Sequence, residues 1–442
     1  MITLVKDTID NKDIDRLVDW LKTYPRLTKG PITLEFENKF SNWLGREYSV
    51  FVNSGSSANI LMLSALQQGG YLKNSKIVVP SVAWATDLSP VIQLGLEPIL
   101  CDSNMDDLSA DLEHLENLFL LHSPSALMFV SVLGLVPDMD KVVKLCDEYD
   151  VILLEDTCEA MGCEYKGQKL GTSGRMSSFS TFFGHHISTI EGGIISTDDF
   201  ELYELLLSIR SHGWDRDLSV ETQFKLQQDW DVSEFDSMYT FYYSGFNMRS
   251  TDLQAYIGLS QIDKLDDWGK KREHNYNLYQ ELIKNDYWKP KSYHDSLTSN
   301  FAYPIISPNR DEIVKSLQEN QIEVRPMICG SMGTQPFYVK EFGELKLPKV
   351  SIIDEYGFYV PNHPSLIEEE IMKPEEAFLH AQIESQIGQA KGWALYHSGN
   401  FQKTLSTLKK LRKARDFYNQ LDKGLPEEEK WKIMKEERTS SD

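Results

Sequence analysis

Between residues 48 and 157 the chain alternates short apolar strands with helical segments, and this rhythm constrains the fold more than any other feature. "YSVFVN" (48–53), "SKIVVPS" (75–81), "EPILCD" (97–102), "ALMFVSVLG" (126–134) and "VILLEDT" (151–157) read as strands. "SANILMLSAL" (57–66), "WATDLSPVIQLG" (84–95) and the stretch 138–149 read as helices between them. A strand that is apolar at consecutive positions must be covered on both faces. The repeating unit is therefore a parallel β-α-β crossover, with helices on both sides of one sheet. Ligands of such sheets sit at the carboxyl ends of the strands, where "NSGSS", "SVAW" and "EDTCE" all fall.

The flanks have a different character. Residues 10–24 and "PITLEFENKFSNWLG" (31–45) read as helices ahead of the repeat. A long helical stretch over 250–283 leads into a smaller α/β region, and beyond 376 the composition turns Gln-, Lys- and Glu-rich. The expected division is an N-terminal arm and large domain over 1–270, a small α/β domain over 271–375 and a helical extension over 376–442. Within the extension, "GWALYHSGNFQKTLSTLKKL" (392–411) resembles one helical hairpin of tetratricopeptide type. A single unit of that type cannot bury a core alone. It reads either as a tail packed on the body or as a partner-docking module.

Composition narrows the function classes. A net charge of −22 over 442 residues disfavours a nucleic-acid surface, which needs clustered Lys and Arg. No apolar run approaches the roughly 20 residues of a membrane span. The start, "MITLVKDTIDNKDIDRL", lacks the basic and apolar regions of a secretory signal. The five cysteines (101, 146, 158, 163 and 329) follow no framework spacing, which predicts reduced thiols and a cytoplasmic setting.

Three strand ends carry candidate chemistry. In "NSGSSAN" (53–59) small residues join a strand to a helix, so backbone N–H groups and hydroxyls can approach a phosphate at the helix N-terminus. An ordinary tight turn would read the same way. In "LLEDTCE" (153–159) Asp156 at a strand end is either a helix cap or a carboxylate for a protonated pyridine nitrogen. Trp84 is either a core residue or a stacking platform for a flat ring.

Taken in order, "NSGSSAN", "SVAWAT", "GLEPILCD", "EDTCEAMG", "SSFSTFFGHHISTIEGGIIST" and "GFNMRSTDLQAYIGLSQIDKL" resemble the DegT/DnrJ/EryC1/StrS family of nucleotide-sugar aminotransferases over about residues 30–370. The resemblance implies an α/β aspartate-aminotransferase fold, the type I fold of pyridoxal-phosphate enzymes, with a mostly parallel central sheet. It also implies a homodimer with shared active sites. By match to family positions, Gly55, Ser56 and Ser57 would hold the cofactor phosphate with Ser180 helping. Trp84 would stack on the ring, Asp156 would bind the pyridine nitrogen, and Glu159 stands where the family usually has glutamine. Asn247 would reach the phosphate in the neighbouring subunit's site. Arg325, in "EVRPMICG", matches a small-domain arginine expected to bind an anionic group of substrate or glutamate, with Arg249 a further candidate.

One position departs from the aminotransferase pattern. Aligning Ser180 and "EGG" (191–193) places His185 where the family carries its cofactor lysine, and no lysine occurs between Lys169 and Lys225. Imidazole is not a primary amine, so it cannot hold the cofactor covalently. With an unperturbed pKa near 6.5 it can still remove a proton near neutral pH. The "HHISTIEGG" loop and "YGFYVPNHP" (356–364) resemble the Lys-to-His dehydratase subgroup of the family. His186 falls on a variable position and is a candidate substrate contact. One branch of the subgroup needs four cysteines after the histidine loop for an iron–sulfur cluster. Residues 164–328 contain no cysteine, so no cluster and no metal is expected.

The resemblance thus implies a dehydratase using pyridoxal 5′-phosphate and its pyridoxamine form, with L-glutamate as amine source. It would remove the C3 hydroxyl of a nucleotide-linked 4-keto-6-deoxyhexose, with GDP and mannose as the branch's nucleotide and hexose, in dideoxysugar and lipopolysaccharide biosynthesis. An aminotransferase that keeps nitrogen at C4 and a non-catalytic regulatory homologue are the alternatives.

Overall fold

The computed structural model describes residues 1–283 and 287–375. The helical-hairpin stretch 392–411 and the rest of the extension lie outside the described residues. Seven strands form the main sheet: β1 (Tyr48–Val52), β2 (Lys76–Pro80), β3 (Glu97–Cys101), β4 (Ala126–Val130), β5 (Ile152–Asp156), β6 (Met176–Ser180) and β7 (Gly193–Thr197). Their order is β1-β7-β6-β5-β4-β2-β3. β2, β3, β4, β5 and β6 pair in parallel, and β7 runs antiparallel to both β6 and β1.

The period of two along each strand splits the core between the two faces. Ile77, Val79, Met128 and Leu154 pack with the helix Gly55–Gln68, while Val78, Leu127, Phe129 and Leu153 pack with the helices Leu112–His122 and Met139–Glu148. Both faces are buried, as the unbroken apolar strands require. The mostly parallel sheet covered on both faces follows the β-α-β rhythm, and the type I fold is the one the family motifs imply. β1, expected among the parallel strands, instead lies at the sheet edge and pairs antiparallel with β7.

The stretch 250–283 is divided into two helices, Asp252–Ile262 and Leu265–Leu282. At the break, the Gln261 and Lys264 side chains both bond the Asp13 carboxylate, at 2.7 and 2.6 Å. That carboxylate belongs to the helix Asn11–Leu21, whose N-terminus is closed by an Asp10–Asp13 capping box. The arm is thereby tied to the body.

The helix Leu265–Leu282 leads to a second sheet of β8 (Ala302–Ile306), β9 (Arg325–Pro326) and β10 (Gly357–Pro361), antiparallel in the order β8-β10-β9. Its buried side, with Tyr303, Ile305, Phe358 and Val360, packs on Tyr276 and Tyr279 of that helix. Ile2 joins the same cluster. No described helix is long and apolar enough to cross a membrane.

Candidate active site

Between the two sheets, at the carboxyl ends of the main-sheet strands, lies a cavity of about 560 Å³. A more open groove of about 810 Å³ lies beside the helix Met139–Glu148 and contains none of the sequence-predicted site residues. The cavity is lined by Gly55, Ser56, Trp84, Asp156, Glu159, Ser180, His185 and Arg325. Eight residues chosen from separate stretches of sequence therefore meet in one place.

One wall is a helix N-terminus. Ser54 caps the helix Gly55–Gln68, its hydroxyl accepting from Ser57 N–H at 3.0 Å. The Ser57 hydroxyl is paired with that of Ser54 at 2.9 Å, so Ser57 is occupied by the cap and does not line the cavity. The backbone N–H groups of Gly55 and Ser56, which donate to no carbonyl among the described residues, line this wall. The Ser56 hydroxyl, donating to Thr86 Oγ1 at 3.0 Å, and the Ser180 hydroxyl lie beside them. Backbone packing keeps this turn small. A Cβ on Gly55 would lie 2.8 Å from the Cys158 Sγ, and one on Gly193 would lie 2.2 Å from the Ser54 carbonyl oxygen. Partial positive charge and aimed donors make this end of the cavity an anion site.

The base is a buried polar network. Asp156 ends β5, is 5% exposed and accepts from Cys158 N–H at 2.8 Å. Its other oxygen accepts from the Asn59 amide at 2.6 Å, and the same amide reaches Asp87 at 3.0 Å. Asp87 in turn accepts from Trp84 N–H at 2.9 Å and sets the turn that carries the indole. Burial, and then the Asp156 carboxylate beside it, push Asp87 well above the usual carboxylate range. Asp156 has no cationic partner among the described residues. A buried carboxylate of this kind is satisfied by a cationic ligand group. Trp84 is 54% exposed and offers its ring to the cavity above that carboxylate network.

The histidine loop forms the third side. Thr181 and Thr189 close its base through their hydroxyls at 2.5 Å and through Thr189 N–H donating to Thr181 O at 2.9 Å. His185 Nδ1 lies 2.7 Å from the Cys158 carbonyl oxygen. A carbonyl only accepts, so Nδ1 carries the hydrogen and Nε2 has a free lone pair. Burial lowers the His185 pKa below 6.5, with Arg272 adding to the shift, while the Cys158 hydrogen bond and the Asp156 charge act against it. The ring is thus neutral and basic at Nε2 over the neutral range. Among the described residues no lysine lines the cavity.

His186 is only 2% exposed, and its Nε2 lies 2.6 Å from the Ser299 carbonyl, away from the cavity. Burial drives its pKa well below 6.5. Glu159 lines the cavity, accepts from Leu133 N–H at 2.6 Å and is pushed up to about 8 by burial. Arg325 pairs with Glu323 and keeps 52% of its side chain exposed. Asn247 and Arg249 sit together, 3.2 Å apart, outside this chain's cavity.

Sequence reasoning passed over four supports. Asn59 and Asp87 organise the base, and Arg272 and Asn362 brace the histidine loop. The Arg272 guanidinium, held by the Asn362 carbonyl, also donates to His185 O at 3.2 Å. Asn362 lies inside the "YGFYVPNHP" phrase, where it is a polar residue following apolar ones, and Asn59 inside the polar "NSGSSAN", where nothing sets it apart. Among the described residues no three His, Cys, Asp or Glu side chains converge as a metal site.

A model of the DegT/DnrJ/EryC1/StrS aminotransferase family matches residues 7–376. The chain is 34% identical to the GDP-4-keto-6-deoxy-D-mannose 3-dehydratase of Yersinia pseudotuberculosis, over 83% of this chain and 95% of the relative. It is 27% identical to the GDP-perosamine synthase of Caulobacter vibrioides, over 84% and 95%. Among solved structures, a GDP-4-keto-6-deoxymannose-3-dehydratase with a trapped PLP-glutamate geminal diamine superposes with a TM-score of 0.77 at 30% identity, covering 86% of this chain and all of that one. A histidine-to-asparagine variant of that enzyme with bound GDP-perosamine gives the same score and coverage.

Proposed function

Since the chain belongs to the DegT/DnrJ/EryC1/StrS aminotransferase family, we propose that it is a pyridoxal-phosphate-dependent 3-dehydratase of GDP-4-keto-6-deoxy-D-mannose. The observation that carries this reading is the neutral His185 in the cavity where a lysine would have to stand.

The cavity's donor set fits the cofactor. Gly55 and Ser56 N–H and the Ser56 and Ser180 hydroxyls supply the phosphate end. Trp84 supplies a face for the ring. Asp156, a buried carboxylate without a cation among the described residues, fits a protonated pyridine nitrogen. Bound there in its pyridoxamine form, the cofactor supplies an amine and an electron sink. Ser57 supports the phosphate end through the cap rather than by direct contact. Asn247 and Arg249, outside the cavity of their own chain, are proposed to serve the partner's site in a homodimer.

His185 performs the step that leads to elimination. Its Nε2 takes a proton, and the Cys158 carbonyl stabilises the imidazolium that forms by accepting from Nδ1–H. Lysine could do the same and also capture the product covalently. Histidine cannot, so the C3 hydroxyl is expelled and the nitrogen leaves as ammonia. The overall reaction balances: the C3 hydroxyl is reduced to C–H while glutamate is oxidised to 2-oxoglutarate and ammonia. Arg325, half exposed at the cavity beside its Glu323 partner, is suited to an anionic group of either substrate. The setting proposed is the cytoplasm, in deoxysugar and lipopolysaccharide precursor synthesis.

The test is mass spectrometry of products from GDP-, CDP- and dTDP-linked 4-keto-6-deoxy sugars with glutamate. A 3,6-dideoxy-4-keto sugar with stoichiometric ammonia supports the proposal. A 4-amino sugar would make the chain an aminotransferase, and no turnover on any sugar would favour a non-catalytic homologue.

A further inference from the structure

The first residues of the chain precede the family match at residue 7, yet they reach the active site. Ile2 pairs in parallel with Ile322: Ile2 N–H donates to Gln321 O, and Glu323 N–H donates to Ile2 O, both at 2.9 Å. The Ile2 and Leu4 side chains are 6% and 8% exposed. Thr3, Leu4 and Val5 line the same cavity as the Gly55 turn.

One side chain ties this strand to the substrate end. The Glu323 carboxylate accepts from Leu4 N–H at 2.9 Å through Oε2 and pairs with the Arg325 guanidinium through Oε1. Glu323 is therefore shared between the strand and the cation that is free to meet an anionic ligand.

We propose that Ile2–Val5 is a specificity wall of the active site and that Glu323 is a positioning residue coupling its seating to the occupancy of Arg325. The coupling rests on the function proposed above, in which Arg325 meets an anion. An anionic group docking on Arg325, whether a nucleotide phosphate or the carboxylate of glutamate, takes the guanidinium from Glu323. The carboxylate is then less neutralised and becomes a stronger acceptor for Leu4 N–H, since charged acceptors make the stronger hydrogen bonds. The strand closes onto the ligand that has just bound.

Hydrogen exchange on the full chain tests this without turnover. In Glu323→Ala, exchange at Leu4 N–H should accelerate about tenfold or more, the worth of one hydrogen bond to a charged group. Glu323→Gln should give an intermediate rate, because the amide oxygen still accepts but carries no charge, and it loses the ion pair to Arg325. GDP in one arm and L-glutamate in the other should slow exchange over residues 2–5 in the wild type, and the arm that does so identifies the anion. Neither variant should alter cofactor binding, and Glu323→Ala should raise KM more than it lowers kcat. Unchanged Leu4 exchange in Glu323→Ala would overturn the anchoring, and no effect of either anion would overturn the coupling. If no sugar nucleotide is turned over while the exchange pattern holds, the dehydratase reading fails and the anchored wall stands.

Discussion

Replacing His185 by asparagine separates the chemistry of the histidine loop from its packing. Asparagine can keep a donor near the Cys158 carbonyl, now 2.7 Å from Nδ1, but offers no basic nitrogen at Nε2. Removing a general base costs roughly 10²–10⁴-fold in rate, equivalent to about 2.7–5.4 kcal/mol of barrier. His186→Asn supplies the control. Its Nε2 bond to Ser299 O at 2.6 Å is buried and remote from the cavity, so its loss should cost about 1–3 kcal/mol of stability and little rate. Ammonia release and product mass, measured with the thermal midpoint for each variant, should show rate lost at 185 and stability lost at 186. The pH profile adds a sign. His185 is active when neutral, and burial lowers its pKa below 6.5. The wild-type rate should therefore be flat above that value and fall only as pH drops through the lowered pKa. Full dehydratase activity in His185→Asn would place the base elsewhere and refute the mechanism.

His185→Lys should restore a covalent cofactor link, seen as an absorbance band that borohydride removes with a phosphopyridoxyl-lysine at 185, and dehydration should fall. The wild type treated the same way should give no lysine adduct by peptide mapping. Asp156→Asn should weaken cofactor binding in a titration, because the carboxylate charge that would face the pyridine nitrogen is lost; unchanged affinity would refute that assignment. Glu159 is raised from 4.5 to about 8 by burial, so in the cofactor-free protein it costs stability progressively as pH rises from about 4.5 to about 8. Glu159→Gln mimics its protonated form, and the variant's denaturation midpoint should gain on the wild type across that window; a pH-independent difference would contradict the shift. Deleting residues 380–442, beyond the family match, should leave the cofactor spectrum and turnover intact in soluble protein.

The sequence alone determined a sheet buried on both faces and mostly parallel, because strands apolar at consecutive positions and alternating with helices need helical cover on both sides. The antiparallel direction of β7 it did not show. It placed the "NSGSSAN" turn and Asp156 at strand ends. It also determined the key chemical fact, that a histidine stands where the family carries its cofactor lysine, and imidazole cannot hold an aldehyde cofactor covalently. The family register picked out His185, but it left His186 as a candidate substrate contact, and the fold turns that side chain away from the cavity. The residues "GHH" sit in a loop with no periodicity, so no pattern assigns their directions. Those directions depend on partners far along the chain: Cys158 O takes His185, Ser299 O takes His186, and Arg272 with Asn362 fixes the backbone between them. The same holds for the first strand, whose place at the site depends on pairing with residues 321–323. Strand and helix formation follow from near neighbours, whereas side-chain direction in a loop follows from hydrogen bonds that exist only once the two sheets have come together.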